Sequence, residues 1–224
     1  MAFSGNERII ELTGEGYFEV AHNANKPFKV LLPGIGQVDA IGTAFNINAY
    51  SEEQFLKTTL LQGKVKVAFG NKTDYLNPGQ QAQFFQNGNM QVIDQVELDQ
   101  VVAWKNGEFI FKQMNVEDIM RQISRWYEIE VIYHGVVSKE TFSGIVNRNS
   151  SLMEVLKIME EGGIRFKIDG KKINIFYIFF NIFRRYSRCN CKGIFTTALS
   201  ENINLINICG MACSDARCND NIHM

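Results

Sequence analysis

Cysteine is missing from the first 186 residues of this 224-residue chain; Cys189, Cys191, Cys209, Cys213 and Cys218 all follow Tyr186. A body without thiols holds no disulfide framework and is compatible with an oxidising compartment. Histidine is nearly as scarce, and no two of His22, His134 and His223 stand at a metal-ligand or triad spacing. Each therefore reads as a surface or strand-end histidine. An excess of charge of one sign is lacking too, since 23 basic and 24 acidic residues leave a formal net charge of -1 and a pI of about 6.3. Nucleic-acid binding usually shows as a basic stripe, so no nucleic-acid partner is expected. Long hydrophobic runs are absent: FYIFFNIF is too short to span a bilayer and is followed at once by Arg184-Arg185. No signal peptide or membrane anchor is visible.

What is present is an apolar content of 46%, enough for one or two real cores. From Met1 to about Gln100 the chain reads as strand after strand: RIIELTG, GYFEVA, FKVLLP, QVDAIG, AFNINAY, KTTLLQ, KVKVAF, QQAQFF and MQVIDQ. Turn residues separate these runs, among them Pro33-Gly34, Gln62-Gly63, Asn77-Pro78-Gly79 and Asn87-Gly88. Val65, Val67 and Phe69 alternate with Lys64, Lys66 and Ala68, as in a strand half buried against a second sheet. A β domain, a jelly-roll-like sandwich, is expected over residues 1–100. VELDQVVAWK then interrupts the strand pattern and reads as a joint in which Trp104 packs.

Within the domain expected over residues 101–176, Gly107 to Phe176 spell one pattern twice: an extended segment, a short amphipathic helix, and another extended segment. In the first copy Asn115 can cap a helix whose apolar face is Val116, Ile119, Met120, Ile123, Trp126 and Tyr127. In the second, Ser151 and Glu154 form a capping-box pattern, Leu152, Val155, Leu156 and Met159 make the face, and Gly162-Gly163 stops the helix. The expectation is a small α+β domain of two β-α-β repeats, both helices lying on one sheet made from FIF, EIEVIY, TFSGIV, IRFKI and KINIF. Residues 177–224 keep neither turn grammar nor period and read as an irregular Cys-containing tail outside the fold.

Candidate chemistry is thin. PGIGQVDAIG offers Gly34 and Gly36, but Asp39 stands where a third phosphate-loop glycine would fall and a strand follows, so these read as turn glycines. Glu15, Glu19 and Asp39 have no spacing that makes any two an acid and base pair, and read as strand-edge charge. The tail cysteines with His223 do not match the paired short-loop spacing of structural zinc sites. Asn71-Lys72-Thr73 and Asn149-Ser150-Ser151 fit a glycosylation triplet that often occurs by chance. No catalytic, cofactor-binding or metal residue is assigned, no cofactor is expected, and the chain reads as a non-enzyme.

LTGEGYFEVAHNANKPFKVLLP (Leu12 to Pro33), AIGTAFNINAY (Ala40 to Tyr50), TTLLQGKVKV (Thr58 to Val67) and LNPGQQAQF (Leu76 to Phe84) resemble the FecR family of bacterial anti-sigma regulators. With WKNGEFIF, RQISRWYEIEV, FSGIV and a final KINI strand, the chain looks like the Bacteroidetes branch, the likeness running from about Phe3 to Phe176. The resemblance implies a periplasmic part of a single-pass inner-membrane protein that takes part in signal transduction and transcription regulation. Its partner would be the N-terminal signalling domain of a TonB-dependent outer-membrane transporter for iron chelates or glycans. An extracytoplasmic-function (ECF) sigma factor would be held only through a cytoplasmic region that this chain lacks, together with the membrane anchor. The C-terminal domain would be similar to the short N-terminal domain of secretins and TonB receptors. The chain is expected to be a fragment, N-terminally truncated within its β domain.

The leading expectation is thus a protein–protein interaction module that relays a partner's state, with open sheet edges to which a partner strand adds. The alternative is a carbohydrate- or small-ligand-binding jelly roll without catalysis, using Tyr17, Tyr50 or Phe85 as platforms. A third reading, a metal-dependent isomerase or dioxygenase, would need several histidines in the β domain, where only His22 lies.

Overall fold

The computed structural model describes residues 5–135 and 140–176. The expectations for the tail, its five cysteines and His223 fall outside those residues. β1 (Arg8–Glu11), β2 (Gly14–Glu19), β3 (Phe28–Leu32), β4 (Gly36–Ala40) and β5 (Ala44–Ala49) come first. They are followed by β6 (Phe55–Gln62), β7 (Val65–Phe69), β8 (Lys72–Leu76), β9 (Gln81–Phe85) and β10 (Met90–Ile93). Two five-stranded sheets result, ordered β1-β3-β4-β7-β8 and β10-β9-β6-β5-β2. Every pairing is antiparallel except that of β1 with β3.

Alternation puts one face of each sheet into a shared core. Val30, Val38, Val65, Val67 and Phe69 come from the first sheet, and Phe45, Ile47, Leu60 and Ala82 from the second, all buried. This is the expected sandwich. β8 has no counterpart among the expected strands, because its first four residues are exposed and show no period. A two-residue Gly70-Asn71 loop, with Gly70 at φ 57°, makes the hairpin from β7 into β8. Gly34 is a turn glycine as expected, at φ 73°. Gly36 is not; it opens β4, and a Cβ there would collide with the Ala68 carbonyl oxygen and with Phe69. It is a close-approach glycine of a paired strand.

The joint is helical: α1 (Leu98–Val102) runs into a 3₁₀ turn, Ala103–Asn106. Then come β11 (Glu108–Asn115), α2 (Val116–Tyr127), β12 (Glu130–His134), β13 (Thr141–Asn147), α3 (Leu152–Glu161), β14 (Arg165–Asp169) and β15 (Lys172–Phe176). Both helices start where the caps place them. The Asn115 side chain accepts from the Asp118 amide at 2.8 Å, and Ser151 with Glu154 forms a complete capping box.

The single sheet expected beneath these helices is instead two. Among the described residues β11 pairs with β13 alone, while β12, β15 and β14 make a three-stranded sheet. Each β-α-β unit therefore sends its two strands to different sheets. The two helices have one core in common with both: Phe109, Phe111 and Val146 from the first sheet, Ile173 and Ile175 from the second. The predicted helix faces supply Ile119, Met120, Ile123, Val155, Leu156 and Met159, all buried. Trp126 departs from its expected burial; it is 46% exposed and its indole N–H donates to the Arg148 carbonyl at 2.8 Å.

α2 ends on Glu128 in the left-handed region, φ 53°, its amide donating to the Ser124 carbonyl. Glycine reaches that conformation without a Cβ penalty. Glu128 is well exposed and its ion pair to Lys171, at 3.8 Å, is a surface contact worth little. Glu128→Gly is expected to raise the unfolding free energy by about 0.5 kcal/mol, readable in urea denaturation midpoints.

Candidate functional site: a polar cleft at the joint

The outer face of the second sheet carries two polar rungs, because side chains opposite Phe45, Ile47 and Leu60 point away from the core. One rung runs Tyr17, Asn46, Thr59, Gln81; the next runs Glu15, Asn48, Lys57, Gln83, Gln91. Outward polar residues of a sandwich normally meet water. Here Asn46, Thr59 and Gln81 are buried, since the joint covers them. Gln81 Nε2 donates to the Thr59 hydroxyl at 2.7 Å, and Gln83 Nε2 donates to Gln81 Oε1 at 2.9 Å.

Trp104 fixes the joint on this face as the sequence suggested. Its indole N–H donates to Asn46 Oδ1 at 3.1 Å, and Asn46 Nδ2 donates in turn to Glu15 Oε1 at 3.0 Å. A second fastening comes from α2. Arg125 reaches the carboxylates of Glu52 at 2.9 Å and Glu53 at 2.8 Å, and its guanidinium lies 4.2 Å from the centre of the Tyr50 ring. Arg121 adds a contact to Glu53 at 3.5 Å and an ion pair with Asp118. From beyond β13, Arg148 lies over both Phe109 (4.3 Å) and Trp126 (5.0 Å), with its Nε donating to the Glu108 carbonyl.

Between these walls is a cleft of about 380 Å³. Burial pushes the Glu15 carboxyl above its ordinary range, although the Asn46 and Asn48 amides and the nearby Arg125 and Arg148 charges pull the other way. Burial also opposes the charge of Arg125, but Glu52 and Glu53 outweigh it and hold its proton more tightly than usual. For Arg148 burial prevails and depresses the guanidinium. A carboxyl whose folded pKa is raised stabilises the fold fully below its unfolded pKa, and that contribution is lost as pH rises through the folded pKa. Glu15→Gln, which keeps an acceptor for Asn46, is therefore expected to raise the melting temperature at neutral pH and leave it nearly unchanged well below the ordinary carboxylate range. Melting curves across that window test the sign.

The residues weighed in the sequence fall elsewhere or serve the fold. His22 is exposed beside Gly42, and His134 stacks on Phe176 at 4.7 Å while bonding to Asn174. Glu19 accepts from the Tyr17 hydroxyl, and Asp39 accepts from Gln37. Of the three platform candidates, Tyr17 lies under Lys105, Tyr50 under Arg125, and Phe85 against Phe55. No group of three metal-ligating side chains occurs among the described residues. Of the residues weighed in the sequence, Glu15, Tyr50, Trp104 and Trp126 line the cleft. Asn46, Asn48, Glu52, Glu53, Arg125 and Arg148 were not singled out. The alternation of Asn46 and Asn48 with Phe45 and Ile47 gave the polar face, but nothing local says that a polar face will be covered.

Residues 108–175 match the family model for the FecR C-terminal domain. Two crystal structures of a candidate anti-sigma factor from Parabacteroides distasonis, at 1.65 and 2.50 Å resolution, are similar to the chain. Each superposes with a TM-score of 0.69 at 26% identity over 79% of this chain and 84% or 83% of the other. No curated protein matches the sequence.

Proposed function

We propose, from the premise that the chain is a FecR-type anti-sigma regulator, that its two folded parts receive a transporter's state and relay it toward a sigma factor. The sandwich comprises residues 1–100 and the C-terminal domain residues 101–176 in this reading. The setting is the periplasm and the input is the N-terminal signalling domain of a TonB-dependent outer-membrane transporter for iron chelates or glycans. The output is an extracytoplasmic-function sigma factor, reached through a cytoplasmic region joined by a membrane helix. No described helix is itself long and apolar enough to cross a membrane. The role is regulatory, and no catalytic step enters it.

The observation that carries this reading is the fastening of the C-terminal domain onto the polar face of the sandwich. Arg121, Arg125 and Trp104 tie α2 and the joint to Glu53, Glu52 and Asn46, so strain applied to one part reaches the other through side chains already ordered. The receiving element is a sheet edge. β13 pairs only with β11 among the described residues and carries Ile145, 68% exposed. A partner strand adding there would gain main-chain hydrogen bonds for affinity and alternate side-chain contacts for specificity.

The test is a binding titration of the chain against the signalling domains of TonB-dependent transporters encoded nearby, followed by amide exchange on the complex. Saturable binding with new protection in β13 is expected. Binding that protects only the outer faces of α2 and α3, with no strand protected, would remove edge addition; no binding by a folded sample would remove the relay.

A further inference from the structure

We propose that the joint cleft binds a small polyhydroxylated monocarboxylate, a ligand of the sugar-acid class. Three arginines line it, and two of them are neutralised: Arg121 by Glu53 and Asp118, Arg125 by Glu52 and Glu53. Arg148 has no carboxylate within ion-pair distance among the described residues, and is held in place by two aromatic rings and one bond from its Nε. A guanidinium fixed in this way, half-buried and unpaired, presents its remaining donors as a planar fork that fits a carboxylate.

The opposite wall is rich in acceptors. Asn48 Oδ1 is buried and accepts no hydrogen bond from the described residues, and beside it lies the Glu15 carboxyl, which engages the Asn46 and Asn48 amides. Such acceptors call for a ligand that donates, and hydroxyl groups do so without adding charge. Lys57, on the same rung as Glu15 and Asn48, adds a donor beside them. A second negative charge on the ligand would face Glu15, which also lines the cleft. A volume of about 380 Å³ suits a single sugar-sized ring.

This site is independent of the relay, so loss of either leaves the other standing. The chain's two tryptophans, Trp104 and Trp126, both line the cleft, so intrinsic fluorescence reports on it without a label. The full chain would be titrated with D-glucuronate, D-glucose and sulfate. Saturable quenching by glucuronate is expected at concentrations at least tenfold below those needed for glucose or sulfate, and Arg148→Met is expected to weaken glucuronate at least tenfold. Glucuronate binding no tighter than glucose and sulfate overturns the proposal, as does a folded Arg148→Met protein that binds it unchanged. Should that variant fail to fold, the comparison of the three probes on the unaltered chain decides alone.

Discussion

Arg125→Ala is expected to lower the unfolding free energy by about 2–3 kcal/mol and to turn one melting transition into two. The side chain joins Glu52 and Glu53 at 2.9 and 2.8 Å and covers the Tyr50 ring at 4.2 Å. Removing one partner of a fully buried ion pair costs about 3–5 kcal/mol, chiefly because the other charge is stranded. Here Arg125 is 20% exposed and Glu53 13%, and Arg121 stays within 3.5 Å of Glu53, so water and a second cation soften the loss. The contact to Tyr50 adds about 1 kcal/mol. The two transitions follow from position: Arg125 sits on α2, whereas Glu52, Glu53 and Tyr50 belong to the β5–β6 connection of the sandwich. Arg125→Lys keeps the charge without the fork, and about half the loss is expected. Calorimetry on the three proteins checks this; one transition with an unmoved midpoint in the alanine variant would refute the fastening role.

The parts of the fold that depend on neighbours in sequence were legible. Asn115, Ser151 with Glu154, and Gly162-Gly163 bounded both helices because a cap is a contact made within four residues. Val65, Val67 and Phe69 revealed an inner face because strand alternation has a period of two. Sheet membership depends instead on distant pairing. Nothing in TFSGIV says that β13 will leave the three-stranded sheet and pair with β11. β8 escaped notice for a related reason: an exposed edge strand has no buried face to impose a period. The cleft was the least legible feature. Glu52, Arg125 and Arg148 are spread over almost a hundred residues, and each looks like an ordinary solvated charge until the joint brings the two parts together. Trp104 gave the clue, an aromatic in an interrupted strand pattern, and its partner Asn46 lay 58 residues away.

Phe109→Ala is expected to cost about 3–5 kcal/mol. The ring is fully buried, stacks on Phe111 at 5.9 Å, meets the edge of Trp126 and lies beneath Arg148. Replacing it opens a cavity that β11, paired with β13, would have to close by shifting. The C-terminal core is small, and a domain of about 70 residues has only a few kcal/mol of stability to lose. The whole β-α-β pair should therefore unfold at temperatures where the sandwich remains folded, since the two cores have no residue in common. Amide exchange would show this directly, with protection lost across β11 to β15 and retained in β3, β4, β6 and β7. Glucuronate binding should vanish in the same variant, because Arg148 loses the ring it rests on. Phe109→Leu, which refills most of the volume, is expected to cost about 1–1.5 kcal/mol and to keep both protection and binding. If the alanine variant instead melted as a single unit, with sandwich protection falling in step, the two cores would be one cooperative body and the relay would have no separable parts to move.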